Sequence, residues 1–586
     1  MDRKKSKAWK IVGIILLVFL VIVGGISIWF SSNYKNVLKR KLPVWVAEAT
    51  DSLYKVSFED ITISLIDRDA TIKGLKLWVD SSRIGTVRKT RVADTVFNIQ
   101  VPLVEVENIL WNDIIADKEV ICGTIRIHEP KVQVLISAIG DTLAFRVPRP
   151  HKRPRIKHLH ADEIRVYEPD VYCNYRDSGR NLHFYAKGGQ MAMTDWEFEL
   201  EGPEMEGRFF YAKRAEMTID SFLHKRDNGR YHFRANSISF STAEQSFSCK
   251  DLTIKSPYDK QEFFKVVGRQ ADMFDIHFGG VTVQGVDWEQ ILDSNKLIVE
   301  EVVLDKPHAE DYFTRLAPPN TKSKLGNFPN QLLLKLPIAV YIPVIRLKDG
   351  FVKYTEVNQQ SRLPGSVAFD HTTGTIENAT NMPEYIAKDG DCRIKLHSNF
   401  NGASDLASLY VFSLRDSSGA FFAESKLKDL AAWQIKSMAK ALMLVSIDSL
   451  NLSSLHFKVK GDENYAQGTA TIVYENLKVS LIQPEPKDGE IELNRKEVTS
   501  WIANAAFVHK RNPSIGEPVK VSSDRVQRDP YKSFFNLLWA PVYSSIINTI
   551  IRGDAIEEAI KERHNAGEKK SFFRMIFGGK KKKDKK

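Results

Sequence analysis

The sequence predicts a mainly β protein in which an N-terminal transmembrane helix precedes an elongated, curved antiparallel β-sheet with the form of a groove. Three observations predict this fold: an uncharged apolar segment near the N-terminus, apolar residues at alternate positions through the body, and an amphipathic segment near the C-terminus. Helical periodicity is confined chiefly to residues 34–54, residues 429–444 and the C-terminal amphipathic helix. Alternation of this kind is typical of strands with one apolar and one polar face.

Residues 11–30 form an uncharged segment, IVGIILLVFLVIVGGISIWF. At about 1.5 Å per residue, a helix of this length covers the roughly 30 Å hydrocarbon core of a bilayer. Basic residues flank both ends, and Trp29 lies at one edge, where an interfacial anchor is expected. A cleaved signal peptide would have a shorter apolar region and a small-residue cleavage site, so an uncleaved anchor is favoured. The anchor residues are Ile11, Leu16, Phe19, Trp29 and Phe30.

The net charge of +11, from 84 Lys and Arg against 73 Asp and Glu, lies at the two ends of the chain. Residues 1–10 carry five basic groups against one acid, and residues 569–586 carry nine against one, so the intervening body has a net charge of −1. A neutral body lacks the distributed cationic surface that nucleic-acid binding needs, so we expect no nucleic-acid partner. Short basic ends favour membrane surfaces instead.

The body alternates apolar and polar residues, and a slip in the alternation predicts a bend. The apolar phase that begins at Ile61 changes at Gly74, where a bulge or kink fits. Asp349-Gly350 lies between two alternating runs and predicts a type I′ hairpin turn, because both central positions of that turn need a positive φ. The apolar residues expected to face the groove are Ile61, Ile63, Leu65, Ile125, Ile127, Val302, Leu304, Phe457, Val459, Ile472 and Val479.

A repeated unit favours stacked strands. A shift of 177 residues places Trp111 on Trp288 and Pro130 on Pro307, with apolar residues matched between them. A weaker third copy ends at Pro169. Each unit combines a short turn or helix with two alternating strands, and such units bury their apolar faces only against their neighbours. We therefore expect an elongated sheet, although a closed sandwich produces the same alternation.

The C-terminal segment joins an amphipathic helix to a lysine-rich tail. Polar residues recur every four positions within residues 533–551, apolar residues fill the other side, and Pro541 interrupts the pattern. Such a helix packs on a protein core, lies in a bilayer interface or crosses the bilayer, and these alternatives stay open. The residues expected at a membrane surface are Phe535, Trp539, Phe572, Phe573, Phe577, Lys580, Lys581, Lys582 and Lys583.

The sequence carries no recognisable catalytic motif. It has no Gly-rich phosphate loop, nucleophile elbow or HExxH motif, so we expect no enzymatic activity and no cofactor. His158 and His160 alternate beside a basic run, but no third ligand follows at a spacing that suits a metal, so a metal site is not favoured. The basic run itself is interpreted as a solvated loop or, alternatively, as a contact for lipid head groups. The four scattered cysteines indicate neither a zinc site nor a dense disulfide framework.

The chain resembles AsmA-like proteins, a bacterial envelope family that includes TamB-like members. The resemblance lies in the anchor followed by YKNVLKRKLPVWVAEATDSLYKVSFEDITISLIDRDATIKGLKLWVD, in the units at Trp111 and Trp288, and in residues 421–482 and 507–546. It implies a single-pass protein of the bacterial inner membrane whose body lies in the periplasm. It also implies that the protein binds or transports phospholipid between envelope membranes and supports outer-membrane integrity.

The resemblance sets the expected partners and the segments. We expect membrane lipids as ligands, with phospholipid first and lipopolysaccharide as a further candidate, and contacts with the inner membrane, the outer membrane or envelope proteins. The alternative function is a membrane-tethered scaffold or chaperone for outer-membrane protein assembly, which would pair client strands with open sheet edges. The expected segments are a basic cytoplasmic N-terminus (1–10), the anchor (11–30), a first β-part (31–317), a linker (318–334), a second β-part (335–530), an amphipathic helical segment (531–566) and a Lys-rich tail (567–586).

Overall fold

The computed structural model describes residues 34–49, 53–80, 95–111, 119–136, 158–177, 180–199, 208–209, 211–225, 229–487, 490–495 and 508–551. Strands account for 61% of this part of the chain and helices for 15%, which confirms the mainly β fold. The predicted anchor at 11–30 and the tail at 567–586, with all their site residues, lie outside the described residues. Within the described ranges, no helix is both long enough and apolar enough to cross a bilayer.

Short helices are interspersed among longer strands along the described part of the chain. The helices are α1 (Tyr34–Ala49), α2 (Lys260–Val267), α3 (Trp288–Ser294), α4 (Pro329–Leu334), α5 (Pro383–Lys388), α6 (Ala432–Met438), which continues into a π-helical turn (Ala439–Met443), and α7 (Phe534–Ile550). The strands are β1 (Tyr54–Ser57), β2 (Asp60–Ser64), β3 (Asp69–Val79), β4 (Thr95–Glu107), β5 (Glu119–His128), β6 (Lys131–Ile136), β7 (His158–Tyr167), β8 (Asp170–Asp177), β9 (Arg180–Lys187), β10 (Gln190–Glu199), β11 (Ala212–Lys225), β12 (His232–Ser241), β13 (Ser246–Lys255), β14 (Met273–Gln284), β15 (Lys296–Ile298), β16 (Glu301–Thr314), β17 (Ala339–Val357), β18 (Pro364–Thr380), β19 (Asp391–Phe400), β20 (Ser404–Ser413), β21 (Phe421–Ala431), β22 (Val445–Gly461), β23 (Tyr465–Lys487), β24 (Glu490–Arg495) and β25 (Val521–Gln527).

The chain divides into two compact units. The described residues within 1–257 and 278–302 form the N-terminal unit, and those within 258–277 and 303–586 form the C-terminal unit. Each unit has its own buried apolar clusters, one in the N-terminal unit and two in the C-terminal unit, among the residues that the structure describes. The two tryptophans of the predicted repeat, Trp111 and Trp288, both pack against the cluster of the N-terminal unit.

The sheet of the N-terminal unit is mixed, so the expectation of a purely antiparallel sheet is wrong. The bent pair β5–β6 runs parallel to the bent pair β7–β8: Glu119 lies opposite His158, and Lys131 lies opposite Asp170, each 39 positions apart. The two pairs bend at equivalent Glu-Pro dipeptides whose Glu has a positive φ. The second pair is the weak third copy in the sequence. Because it begins at the same end as its predecessor, it runs parallel to it and not back against it.

A line of bends crosses the strands of the N-terminal unit, and Gly74 is one of them. A residue with φ between 45° and 72° interrupts most of the strands or bent strand pairs, at Gly74, Glu129, Glu168, Gly188, Ser237 and Asp251. At each bend the apolar alternation shifts by one position. On β3, for example, the buried side chains change from Ile72 to Leu75. A bulge of this kind bends a strand and increases its twist, while the shift keeps apolar side chains on the same face of the sheet on both sides of the bend.

In the C-terminal unit, β17 to β23 form an antiparallel meander, and β25 pairs with the outer side of β23. The segments α4, α6 with its π-helical turn, and α7 lie on one face of this meander, and we call these three segments the helical layer. Leu537 lies in one buried cluster, and Leu333 and Ile435 pack against the two clusters, which contain strand residues such as Val459 and Leu455. Ile386 of the short helix α5 also packs against the first of these clusters.

The predicted hairpin at Asp349-Gly350 is wrong. Both residues lie inside the single strand β17, and the register with β18 shifts there. Asp349 has a φ of 49°, whereas Gly350 is not in the left-handed region, so the pair meets only half of what a type I′ turn requires. The dipeptide forms a bulge in place of a turn. Helices lie in all three segments predicted to be helical, residues 34–54, 429–444 and 533–551, although the first helix ends at Ala49 and the second begins at Ala432.

Candidate functional site

One face of the N-terminal sheet is apolar across nine strands. Residues that lie opposite each other on neighbouring strands project from the same face. One such row consists of Ile61, Ile72, Val104, Ile127, Val166, Met191, Met217, Phe240 and Phe247. A second row, beyond the line of bends, consists of Phe97, Val134, Cys173, Phe184, His224, Phe233 and Ile254. We call this side of the sheet the apolar face.

The apolar face is buried on its first strands, whereas part of it is only half-buried on its last strands. In the first row, the exposed fraction is 1% at Ile61 and 0% at Ile72. By contrast, Phe184, Phe222, Phe233 and Ile254 on β9 and β11–β13 are only half-buried, and the last three lie outside the buried cluster. Phe222 lies opposite Ala186 and Ala235, one step from the second row. We call Phe184, Phe222, Phe233 and Ile254 the half-buried segment.

The opposite face of the same sheet is polar. Glu105, Arg126 and Arg165 lie in one row across β4, β5 and β7. Arg165 forms an ion pair with Glu163 at 2.7 Å, and Arg126 forms one with Glu107. Because every strand has one apolar and one charged side, the sheet as a whole is amphipathic. It can contact an apolar ligand on one face while its other face stays in water.

The residues predicted to face a groove do not share one environment. Ile61, Ile125 and Ile127 are buried on the apolar face of the N-terminal unit, and Ile63 packs against them. Leu65 lies in the turn after β2, and Val302 and Leu304 are half-buried on β16. Val459 and Ile472 belong to the buried clusters of the C-terminal unit, where the helical layer covers the sheet, and the partly buried Phe457 and Val479 pack against these clusters.

The histidines and cysteines among the described residues form no arrangement that indicates metal or thiol chemistry. His158 lies 3.0 Å from Glu197 and 3.9 Å from Glu119. His160 lies 3.2 Å from Asp162 and 4.0 Å from Asp195, so each ring lies between two carboxylates on the polar face. No group of three or more metal-ligating side chains occurs in the part of the chain that the structure describes. All four cysteines are free and buried, and burial raises the pKa of Cys122 to about 12, which keeps its thiol protonated at neutral pH.

The C-terminal unit contains a polar cluster that the sequence patterns did not predict. Asp311 lies on β16, and its buried Oδ1 accepts no hydrogen bond from the described residues. Burial and the neighbouring charge of Asp272 raise the pKa of Asp311 to about 7, while Lys324 opposes that rise. The Tyr354 hydroxyl donates to Glu356 Oε2 at 2.9 Å close by. The cluster brings together residues more than 80 positions apart, which no local pattern predicts.

The two described residues that were expected at a membrane surface lie on α7. Phe535 is 68% exposed and Trp539 is 43% exposed, whereas their neighbours Phe534 and Leu538 are buried. The helix therefore packs on the protein core with one side and exposes the Phe535 ring, while the half-exposed Trp539 ring also lies edge-on to Phe457 of the sheet, with ring centroids 6.4 Å apart. This arrangement is compatible with a helix that packs on the protein core and with one that also lies in a bilayer interface.

The geometry defines a mainly β protein with an amphipathic mixed sheet in one unit and a helix-covered sheet in the other. No family model matches the chain, and no curated protein matches its sequence.

Proposed function

We propose that the chain is an AsmA-like protein, anchored in the inner membrane and facing the periplasm, which binds phospholipid and moves it between envelope membranes. The observation that carries this proposal is the apolar face of the N-terminal unit, which ends in the half-buried segment. Transfer along such a face needs no covalent step, and we propose no catalytic residue.

Acyl chains suit the half-buried segment because its side chains are apolar but not fully removed from water. Each methylene group that such a surface takes out of water contributes about 0.8 kcal/mol. A phospholipid on this face would keep its head group beyond the strand ends, in contact with water. The fully buried start of the face near Ile61 has no comparable surface to offer, so we place the ligand on β9 and β11–β13.

Site-specific photo-crosslinking in cells tests this placement. We would introduce a photo-reactive amino acid in place of Phe233 or Ile254 in the full chain and label cellular phospholipid with radioactive phosphate. Thr253 and Arg234 are the matched controls, because each is adjacent to a test residue in sequence but lies on the opposite face of the sheet. We expect a labelled phospholipid adduct at Phe233 and Ile254 and none at the controls.

Two outcomes would contradict the proposal. Equal labelling at all four positions would mean that the apolar face does not select the lipid. Adducts with unfolded outer-membrane proteins, without phospholipid, would favour the scaffold or chaperone function that the sequence left as the alternative. Each variant changes a single residue and adds no charged side chain, so we expect each variant to keep the fold.

A further inference from the structure

The helical layer of the C-terminal unit has a second surface that faces away from the sheet. The inner surface is fixed by specific contacts: Asn330 Nδ2 donates to the carbonyl of Ser413 at 2.8 Å, and Gln434 Nε2 donates to the carbonyl of Phe400 at 3.2 Å. Phe328, which caps α4, and Phe534, which begins α7, lie with ring centroids 5.1 Å apart. The segments are therefore held on the sheet, and α4 and α7 are held beside each other.

The outer surface of the layer is rich in large apolar side chains. Trp433 on α6 is 67% exposed, and Leu332 on α4 is 51% exposed. Phe535 and Trp539 on α7 are four residues apart and therefore lie on one side of that helix. Leu336, just after α4, is also exposed. Each segment thus adds at least one exposed apolar or aromatic side chain to the same outer surface.

The charge of this surface has one sign. The three helical segments contain no Asp or Glu. Lys436 and Lys440 follow Trp433 at helical spacing and are exposed, and they form no ion pair with any described residue. Lys335 follows directly after α4. The nearest acids belong to other elements, such as Glu384 on α5 and Asp524 on β25, which accepts a hydrogen bond from Ser544. The lysines and aromatic rings of the three segments are complementary to an anionic bilayer, because the rings suit the interface and the lysines suit the head groups.

The opposite face of the same sheet is different. It carries balanced cross-strand ion pairs, such as Lys395 with Glu377 at 2.8 Å and Lys458 with Glu424 at 3.6 Å. Val521 on β25 lies on that face and is 58% exposed, so exposure of an apolar residue alone does not distinguish the two sides. The distinguishing property is the combination of apolar exposure with unbalanced positive charge.

We propose that the outer surface of the helical layer rests on a bilayer that contains anionic phospholipid. A second copy of this chain is disfavoured as the occupant, because two such surfaces would oppose lysine to lysine. Farther along the chain, after a mixed segment, residues 569–586 carry nine basic residues against one acid, which is the same charge preference. The contact lies in the C-terminal unit and does not depend on lipid binding by the N-terminal unit.

Fluorescence of an environment-sensitive label tests the contact in the full chain. The label would be attached to a cysteine introduced at Trp433, Phe535 or, as the control, Val521; the native cysteines are buried and are expected to react slowly. The labelled chain, held in phosphatidylcholine nanodiscs, would be titrated with vesicles of phosphatidylglycerol or of phosphatidylcholine. We expect the emission to rise about twofold or more at Trp433 and Phe535 with phosphatidylglycerol only, and to stay unchanged at Val521.

Charge variants separate the role of the lysines from that of the rings. Each lysine near an anionic surface strengthens binding about fivefold, so W433C-labelled protein that carries K436Q and K440Q should need about 25-fold more phosphatidylglycerol. Lys426→Gln, on the opposite face, is the matched control and should change the midpoint less than twofold. Four results would overturn the proposal. Two concern the lipid: no response to phosphatidylglycerol, or an equal response to phosphatidylcholine. The other two are an equal response at Val521 and a signal that depends on protein concentration instead of vesicles.

Discussion

Replacement of Asp311 by Asn should stabilise the C-terminal unit at pH 8 and have little effect at pH 4. The carboxyl of Asp311 has a buried oxygen that accepts no hydrogen bond from the described residues. Its pKa rises from the usual 3.8 to about 7, first because burial disfavours the charged form and second because Asp272 repels it. The nearby ammonium of Lys324 offsets only part of this effect.

The sign of the pH dependence follows from proton binding. Below about pH 4 the carboxyl is protonated in both the folded and the unfolded chain, and its ionisation costs nothing. Between about pH 4 and pH 7 the folded chain holds the proton more tightly, so the free energy of unfolding falls as the pH rises. Above pH 7 both states are ionised, and the full penalty is present. Asn cannot ionise, and the variant therefore avoids that penalty.

The magnitude follows from the same pKa. A rise from 3.8 to about 7 corresponds to about 4 kcal/mol. Solvent reaches part of the side chain, and screening reduces the effect, so we expect about 1–2 kcal/mol at pH 8. For a unit of this size that gain raises the melting temperature by about 2–6 °C.

Calorimetry or near-ultraviolet circular dichroism at pH 4, 6 and 8 would measure this shift. The control is Asp305→Asn, because Asp305 is an exposed acid on the same strand. Asp305→Asn should change the melting temperature by less than about 1 °C at every pH, as is usual for exposed positions. A gain at pH 4 as large as at pH 8, or a loss at pH 8, would refute the proposed cost of ionising Asp311.

Two further substitutions test how the C-terminal unit holds its helices. A Cβ added at Gly468 would lie 2.9 Å from Pro541 on α7, so Gly468→Ala should displace α7 and lower the melting temperature by several degrees. Thr469→Ala, on the other face of the sheet, is the control and should leave the melting temperature unchanged. Unchanged resistance of α7 to protease in Gly468→Ala would contradict this prediction. The guanidinium of Arg528 lies 4.1 Å above the Phe328 ring and donates to the carbonyl of Lys324, so Arg528→Met should lower the free energy of unfolding in denaturant by about 1 kcal/mol. A gain in stability would mean that the burial of Arg528 N–H groups with no acceptor among the described residues costs more than these contacts contribute.

Several features followed from local sequence patterns. The change of phase at Gly74 predicted a bend, and Gly74 has a φ of 62° where the buried side chains change phase. The alternation of Leu455, Val459 and Ile472 placed all three on one buried face. These predictions succeeded because side-chain direction in a strand depends on the backbone of the nearest residues alone. The third copy of the repeat, which ends at Pro169, was predicted for the same reason, because a repeated sequence pattern folds into a repeated structural unit.

Other features required contacts between distant residues. The dipeptide Asp349-Gly350 carries a strong turn signal, yet pairing along β18 keeps β17 continuous and turns the signal into a bulge. The parallel placement of β7 beside β5 depends on where the chain re-enters the sheet, which alternation does not encode. The buried acid at Asp311 has the same origin, because its neighbours come from separate segments of the chain.

The sequence by itself determined that this chain builds amphipathic strands, where one of them bends, and where its apolar and basic ends lie. Only the tertiary structure decided which apolar surfaces are covered. Ile61 and Ile472 alternate in the same way, yet the first lies on an apolar face that becomes half-buried toward β13, and the second lies beneath the helical layer. The physical reason is that alternation records which side of a strand avoids water, whereas the element that removes the water comes from elsewhere in the chain.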